Sequence, residues 1–175
     1  MQFQIGGRGR DKATAAAELL VFEKKLAELE KRKIPVVVGA GDDIDSFGTS
    51  DIDKLLKKHD NVVIATSTDK DDNVSYIARY ARTGVHTAAP GEGIMTTMPG
   101  NKYGEVNGTA YAAAHVTAAL ALAKAKFADK IELPKLISTL LSDSGSDYLK
   151  GLERVDRGSN RLNVVKYMAA LSSLK

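Results

Sequence analysis

Short apolar runs alternate with longer segments at helical spacing along the first third of the chain. Gln2–Ile5 alternates polar and apolar residues and stops at two glycines, which predicts a short strand entering a turn. Apolar residues then recur every three or four positions through Ala13–Lys33, which predicts a helix with Asp11 as its N-cap. The continuous apolar runs Ile34–Gly41 and Asn61–Thr66 predict strands that are covered on both faces.

The rest of the chain continues this alternation with shorter elements. Asp51–Lys58 is interpreted as a surface helix or turn, and Val85–Thr97 as short strands broken by Pro and Gly. The segment from Ala110 to Phe127 is rich in alanine and predicts a helix slim enough to lie close to a sheet. The remaining predicted elements are a helix over Pro134–Ser142, a polar loop, a short strand around Arg161–Val165 and a helical tail.

This order of elements predicts an α/β fold, with a largely parallel sheet flanked by helices and right-handed crossovers. The length of 175 residues suits a single domain spanning positions 1–175. Charged residues make up 27% of the chain, and its net charge is only +3, with Lys and Arg spread throughout. This distribution favours neither a nucleic-acid partner nor a membrane surface. The chain has no cysteine and no signal-peptide pattern, and its compartment is left open.

Three sequence blocks follow one another in an order that carries a family resemblance. They are Val36–Asp42 (VVVGAGD), Thr87–Thr97 (TAAPGEGIMTT) and Asn107–Val116 (NGTAYAAAHV). Together they resemble the subtilase family of serine proteases: the strand ending at the oxyanion-hole residue, the Ala-Pro-Gly segment, and the Gly-Thr-Ser-Met-Ala signature around the nucleophile. Gln4–Gly7 resembles the Gly-Gly strand that lines the substrate cleft. Asn61–Tyr80 resembles the strand and loop between the first two blocks. The resemblance covers about positions 2 to 128, and faintly the tail to about 165.

The resemblance implies a subtilisin-like three-layer architecture and the C-terminal portion of a serine endopeptidase domain, acting on a peptide or protein substrate. The family's catalytic Asp and His lie ahead of the strand matched by Gln2–Gly7. The implied partner is therefore an N-terminal protease half or another protein subunit. The substrate-binding positions that the resemblance implies are Gln4, Ile5, Gly6, Gly7, Gly39, Ala40, Gly41 and Thr109.

Two departures from the family pattern bear on activity. Ala110 stands where the family has its nucleophilic serine, and alanine has no oxygen to attack a carbonyl. Asp42 stands at the oxyanion-hole position, although some proprotein-processing relatives carry Asp there and remain active. We expect a portion of a subtilisin-like endopeptidase that is inactive as written. The alternative is a pseudoprotease that serves as a structural or protein-binding subunit. Whether Ala110 is natural or a deliberate Ser→Ala change stays open.

The three histidines are not expected to supply the missing base. His115 matches a structural histidine of the family and is interpreted as a core residue. His59 lies in a Lys-Lys-His-Asp stretch and is interpreted as solvated, and His86 as a packing or edge residue. None forms a recognisable Ser-His-Asp set with Ala110.

Two acidic turns are candidate sites for a bound calcium ion. Asp42–Asp45 and Asp69–Asp72 could bind calcium, as subtilases often do. Neither turn contains a clear ligand loop, so polar surface turns are the preferred interpretation. We therefore predict no metal site and no cofactor, with calcium kept as the one possibility.

Overall fold

The computed structural model describes residues 12–42, 51–79, 84–127, 129–153 and 160–174, with side chains from residue 16 in the first range and residue 54 in the second. The helices within these ranges are α1 (Lys12–Lys31), α2 (Asp51–Leu56), α3 (Thr109–Phe127), α4 (Leu133–Leu140) and α5 (Val164–Ser173), with one 3₁₀ turn at Lys150–Leu152. The strands are β1 (Val36–Gly39), β2 (Val62–Thr68), β3 (Thr87–Pro90), β4 (Ile94–Met98), β5 (Lys102–Val106), β6 (Ser146–Tyr148) and β7 (Asn160–Leu162).

In the part of the chain that the structure describes, five strands form one sheet in the order β1-β2-β3-β7-β6, and β4 and β5 form a separate antiparallel hairpin. Strands β1, β2, β3 and β7 run parallel, and β6 pairs antiparallel with β7. The register pairs Val37 with Val63 and Ala65 with Thr87. Because parallel strands end at the same edge of a sheet, β1, β2 and β3 deliver their carboxyl ends side by side. The predicted α/β class with a largely parallel sheet is confirmed.

The sheet is covered by helices on both faces, which explains why its strands are apolar on both sides. One core contains α3, α4 and α5 packed on the side chains of Val37, Val63 and Ala89. The other contains α1 and α2 packed on Val36 and Ile64. This alternation of neighbouring residues between two cores gives three layers: helix, sheet, helix. No helix among the described residues is long and apolar enough to cross a membrane.

Several element boundaries differ from the prediction. The strand predicted around Arg161–Val165 ends at Leu162, because the side chain of Asn163 accepts a hydrogen bond from the Lys166 N–H and starts α5. Strand β6 was missed, since it is three residues long and its sequence, Ser-Asp-Tyr, has no apolar run. The predicted strand Gln2–Ile5 and the N-cap Asp11 lie outside the described residues.

The prediction that His59 is solvated was wrong. Only 10% of its side chain is exposed, and its Nδ1 lies 2.8 Å from Oε2 of Glu30. The other oxygen of Glu30 accepts a hydrogen bond from the Asp60 N–H. The hydrogen bond with His59 is the main reason why the pKa of Glu30 is below its usual value. The pair ties the end of α1 to the turn before β2, a contact between residues 29 positions apart.

Asp147 joins the last two strands and the last helix. Its Oδ2 accepts from Nδ2 of Asn163 at 2.8 Å and from Arg161 at 3.3 Å, and Lys166 lies 3.6 Å from its Oδ1. Arg161 also pairs with Asp72, in the turn after β2, at 2.9 Å. The hydrogen bond from Asn163, followed by that from Arg161, lowers the pKa of Asp147 below its ordinary value. The carboxylate therefore stabilises the folded chain in its ionised form.

We expect Asp147→Asn to lower the free energy of unfolding by roughly 1 kcal/mol at pH 7, because the charge that Arg161 and Lys166 face is lost. Because the pKa of Asp147 is lower in the folded chain, its ionised carboxylate contributes its full stability above the unfolded pKa of about 3.9. This contribution is lost as the pH falls through the folded pKa. The difference between the two proteins should therefore shrink as the pH falls below about 4. Urea unfolding between pH 7 and pH 3 measures it, with the exposed Asp143→Asn as the matched control. An equal deficit at both pH values would contradict this account.

Candidate functional site

The carboxyl end of β1 meets the start of α3, and Thr109 makes the junction. Its Oγ1 accepts a hydrogen bond from the Gly41 N–H at 3.0 Å. Its own N–H donates to Oδ1 of Asp42 at 2.7 Å. The first N–H groups of a helix have no partner within the helix, and a carboxylate there also gains from the helix dipole. Asp42 therefore caps α3 from the neighbouring strand, although it is 67 residues away in sequence.

Glycine at position 39 permits this junction. A Cβ on Gly39 would lie 2.8 Å from Oγ1 of Thr109 and 3.0 Å from the Thr109 carbonyl carbon, closer than real contacts allow. Gly41 has φ +105°, which side chains rarely tolerate. Between them, Ala40 is 2% exposed and packs in the core on the opposite face, while its N–H donates to the Ala65 carbonyl. The Gly-Ala-Gly sequence therefore allows β1 to approach the start of α3 closely.

The Ala-Pro-Gly segment at the end of β3 fixes the loop that leads into α3. The Gly108 N–H donates to the Gly91 carbonyl at 2.8 Å, and the Gly93 N–H donates to Oδ1 of Asn107 at 2.8 Å. A Cβ on Gly91 would overlap the side chain of Ser67. The three sequence blocks thus meet around one point, at the carboxyl edge of the sheet. Ala110, half-buried, follows Thr109 in the first turn of α3 at this point.

Most of the predicted site residues are close together in the structure. Gly39, Gly41, Asp42 and Thr109 are joined by the contacts above, and Ala110 follows directly. The predicted cleft strand Gln4–Gly7 lies outside the described residues. These placements are consistent with the predicted site, whereas the roles of the residues stay predictions.

Arg79 belongs to the site and was missed in the sequence. Its N–H donates to the Gly41 carbonyl at 3.0 Å, and its Cδ would lie 2.8 Å from a Cβ at position 41. Its carbonyl in turn accepts from Oγ1 of Thr66 at the end of β2. Arg79 lies within Asn61–Tyr80, which resembles a strand and loop of the family, but the resemblance assigned it no role because it contributes through backbone groups and the position of its side chain.

The histidines are bonded away from the junction. Nδ1 of His86 accepts from the Ile64 N–H at 3.2 Å, as suits a residue that packs beside a strand. His115 is exposed rather than in the core, and its Nδ1 lies 2.9 Å from the Tyr111 carbonyl of its own helix. The core interpretation of His115 was wrong because α3 presents this side outward in the described fold.

The chemistry available at the junction is limited. Ala110 offers only a methyl group, and the carboxylate of Asp42 accepts hydrogen bonds but cannot donate them to an oxyanion. Among the described residues, no group of three or more acidic or histidine side chains is placed to hold a metal ion. In the turn after β2, the Asp69 carboxylate instead accepts from the backbone N–H groups of Asp71 and Asn73. Whether the protein uses calcium or any cofactor stays a prediction.

A three-layer α/β fold with this strand-to-helix junction defines a subtilisin-like protease domain. The chain belongs to the subtilase family, peptidase S8, which matches residues 6–157.

Individual relatives agree with this assignment. The chain is 31% identical to subtilisin BL of Lederbergia lenta over 105 residues, 60% of this chain and 37% of that protein. It is 33% identical to the major intracellular serine protease of Bacillus subtilis over 94 residues, 54% of this chain and 29% of that protein. The A-subunit of an AB5 toxin from E. coli has a similar fold, with a TM-score of 0.70, 20% identity, and coverage of 97% of this chain and 59% of that chain. The chain thus spans less than two thirds of the length of each of these proteins.

We expect Gly39→Ala to destabilise the protein by about 1–3 kcal/mol, because the new methyl group meets backbone atoms of Thr109 that cannot move independently. Gly104→Ala is the matched control, since a Cβ there meets only the flexible side chain of Met98 at 3.3 Å. Chemical denaturation of both variants measures the difference. Equal stability of the two would show that the junction can open to admit a side chain.

Proposed function

We propose that this chain is the C-terminal portion of a subtilisin-like catalytic domain and that it is catalytically inactive as written. The observation that supports the proposal best is the position of Ala110, in the first turn of α3 directly after the Thr109–Asp42 hydrogen bond. In this proposal Ala110 occupies the nucleophile position, and Asp42 occupies the oxyanion-hole position.

Physical chemistry explains why a nucleophile would belong at position 110. A residue in the first turn of a helix lies near unpaired N–H groups and the positive end of the helix dipole, and both favour an oxyanion that develops nearby. A serine there would need only a base to become reactive. Alanine keeps the helix but removes the reacting oxygen. The acyl-enzyme route is therefore closed in this chain.

The second part of the proposal concerns substrate. A peptide would lie against the backbone of Gly39, Ala40 and Gly41, as the family resemblance implies, since the Cβ positions of both glycines are already taken up by Thr109 and Arg79. Gln4, Ile5, Gly6 and Gly7 would line the other side, an assignment that rests on the family resemblance alone. Thr109 would hold the end of the cleft through its bonds to Gly41 and Asp42.

The third part concerns the missing catalytic groups. The curated relatives and the solved structure are much longer than the region that this chain matches. We propose that a complementary portion of the domain, or another protein subunit that takes its place, supplies the catalytic Asp and His. Because His59, His86 and His115 are each bonded elsewhere, this chain does not offer an obvious substitute.

A pseudoprotease that binds protein is the second candidate. The hydrogen bond between Asp42 and the Thr109 N–H favours this candidate. The carboxylate caps α3 through the Thr109 N–H, so a group that is unfavourable for an oxyanion still stabilises the scaffold. Such a chain would keep the cleft and perform no chemistry.

We expect the isolated chain to show no fluorophosphonate labelling and no peptide hydrolysis, and Ala110→Ser alone to change neither, because His59, His86 and His115 are each bonded away from position 110. Ala110→Ser together with the complementary portion of the domain should become labelled and hydrolyse peptides. Ala114→Ser, one turn further along the exposed side of α3, is the matched control and should stay inert. Labelling of the unchanged chain, or activity of Ala110→Ser by itself, would contradict the assignment. An inert assembled complex that still binds peptide would favour the pseudoprotease.

We expect Asp42→Asn to leave stability nearly unchanged, since the amide oxygen can still accept from the Thr109 N–H. Its NH₂ group would now be a donor. In an assembled chain that also carries Ala110→Ser, turnover should therefore rise by about 10²-fold, the worth of one oxyanion donor. Asp42→Ala separates the two effects: it should lose about 1 kcal/mol of stability with the cap and gain no turnover. An unchanged rate for Asp42→Asn would mean that another group serves the oxyanion.

A further inference from the structure

The side chain of Arg79 lies against the backbone of Gly41, at the end of the stretch along which a peptide is proposed to bind. The place that a Cβ on Gly41 would take is 2.8 Å from Cδ of Arg79, 3.7 Å from its Cγ and 3.5 Å from its Nη1. Both the methylene stem and one terminal nitrogen of the guanidinium are therefore next to Gly41. The space that residue 41 leaves bare is filled by an arginine from a different segment of the chain.

Backbone hydrogen bonds hold residue 79 in this place. Its N–H donates to the Gly41 carbonyl at 3.0 Å, and its carbonyl accepts from Oγ1 of Thr66 at 2.7 Å. Thr66 is fully buried in β2, so the anchor is part of the core. Neither bond uses the side chain of Arg79, and other residue types could make them as well. What arginine adds at this position is a half-buried positive charge beside the carboxyl end of β1.

The chemistry of a guanidinium limits the ligands that would suit it. The group is planar, keeps its charge at any pH that a folded protein meets, and carries five N–H donors. Two of these donors can bind both oxygens of one carboxylate, a geometry that lysine cannot offer. Five donors also allow hydrogen bonds within the chain together with a pair to a ligand. A carboxylate on a peptide that passes Gly41 is therefore the complementary group.

Asp42, the next residue, carries the opposite charge, but it is bonded to another element. Its Oδ1 accepts from the Thr109 N–H at 2.7 Å, at the start of α3. The positive end of the helix dipole offsets part of its charge there. Because Arg79 lies against Gly41 itself, we expect its guanidinium to govern the charge preference of this part of the cleft.

We propose that Arg79 is a specificity-determining residue, which selects peptides with a carboxylate beside Gly41. The carboxylate can come from an Asp or Glu side chain or from the C-terminus of the peptide. This inference rests on the proposed function, because it requires a peptide along Gly39–Gly41, and it adds the chemical class of that peptide. The competing interpretation is that Arg79 only fills the space over Gly41 with its methylene groups.

The test measures peptide binding without turnover, which Ala110 makes possible because it cannot form an acyl-enzyme. Fluorescent peptides of one sequence, with an amidated C-terminus and Glu, Gln or Lys at each position in turn, are titrated into the chain assembled with the complementary portion of the domain. The Gln peptide with a free C-terminus separates the two sources of a carboxylate. We expect fluorescence anisotropy to show about tenfold tighter binding of a carboxylate peptide than of the amidated Gln peptide, and the weakest binding for Lys.

Variants of the chain separate the charge of Arg79 from its packing. Arg79→Met keeps an unbranched side chain over Gly41 and removes the charge, so the preference should disappear while the amidated Gln peptide binds as before. Arg79→Lys keeps the charge without the planar fork and should retain part of the preference. Lys102→Met, which removes an exposed cation on β5, is the matched control and should keep all of it. Thermal melts verify folding, and Arg79→Lys provides the comparison if Arg79→Met does not fold.

Equal affinity for the carboxylate peptides and the amidated Gln peptide would overturn the inference. A preference for carboxylates that Arg79→Met leaves unchanged would also overturn it, in favour of the space-filling interpretation. In both cases peptides still bind, so the proposed cleft would stand while the role of Arg79 would be wrong. If no peptide of any charge binds to the assembled chain, the proposed function fails, and this inference fails with it.

Discussion

The contact between Gly39 and Thr109 is the constraint on which the rest of the site depends. The strand and the helix approach so closely that a single methyl group on Gly39 would overlap the Thr109 backbone. This closeness brings the Gly41 N–H to the Thr109 hydroxyl and the Asp42 carboxylate to the Thr109 N–H. The Thr109 N–H belongs to the helix start, where N–H groups have no partner within the helix, and the Asp42 carboxylate accepts its hydrogen bond. The position of Ala110 follows from them.

The sequence predicted the parallel strands and the long helices because each carries a clear period or a continuous apolar run. Val36–Gly39 and Val62–Thr68 lie within the predicted runs or extend them by two residues, and the alanine-rich helix starts within one residue of its prediction. Strand β6 and the cap at Asn163 could not be found in this way. They depend on pairing with β7 and on one side-chain hydrogen bond, neither of which leaves a periodic signal.

The site was predicted from motifs, and the prediction missed residues that no motif specifies. Glycines and Thr109 stand in recognisable blocks, so their proximity could be expected from the resemblance. Arg79 contacts Gly41 through its backbone N–H, which no motif specifies, and His59 is bonded to Glu30, which lies 29 residues earlier. A Lys-Lys-His-Asp stretch looks solvated when only its neighbours in sequence are considered. The burial of such residues depends on their tertiary contacts, which cannot be identified from a single sequence.

Helix α3 belongs both to the candidate site and to the core. Its first turn holds position 110, and its inner side packs on the sheet through Ala112, Val116 and Ala119. His115 and Leu122 lie on the outer side, which the described residues leave exposed. The hydrogen bonds at the start of α3 join Thr109 to Gly41 and to Asp42, and neither of them uses the side chain of residue 110. The geometry of this first turn therefore depends on the strand-to-helix contact and not on which small side chain stands at position 110.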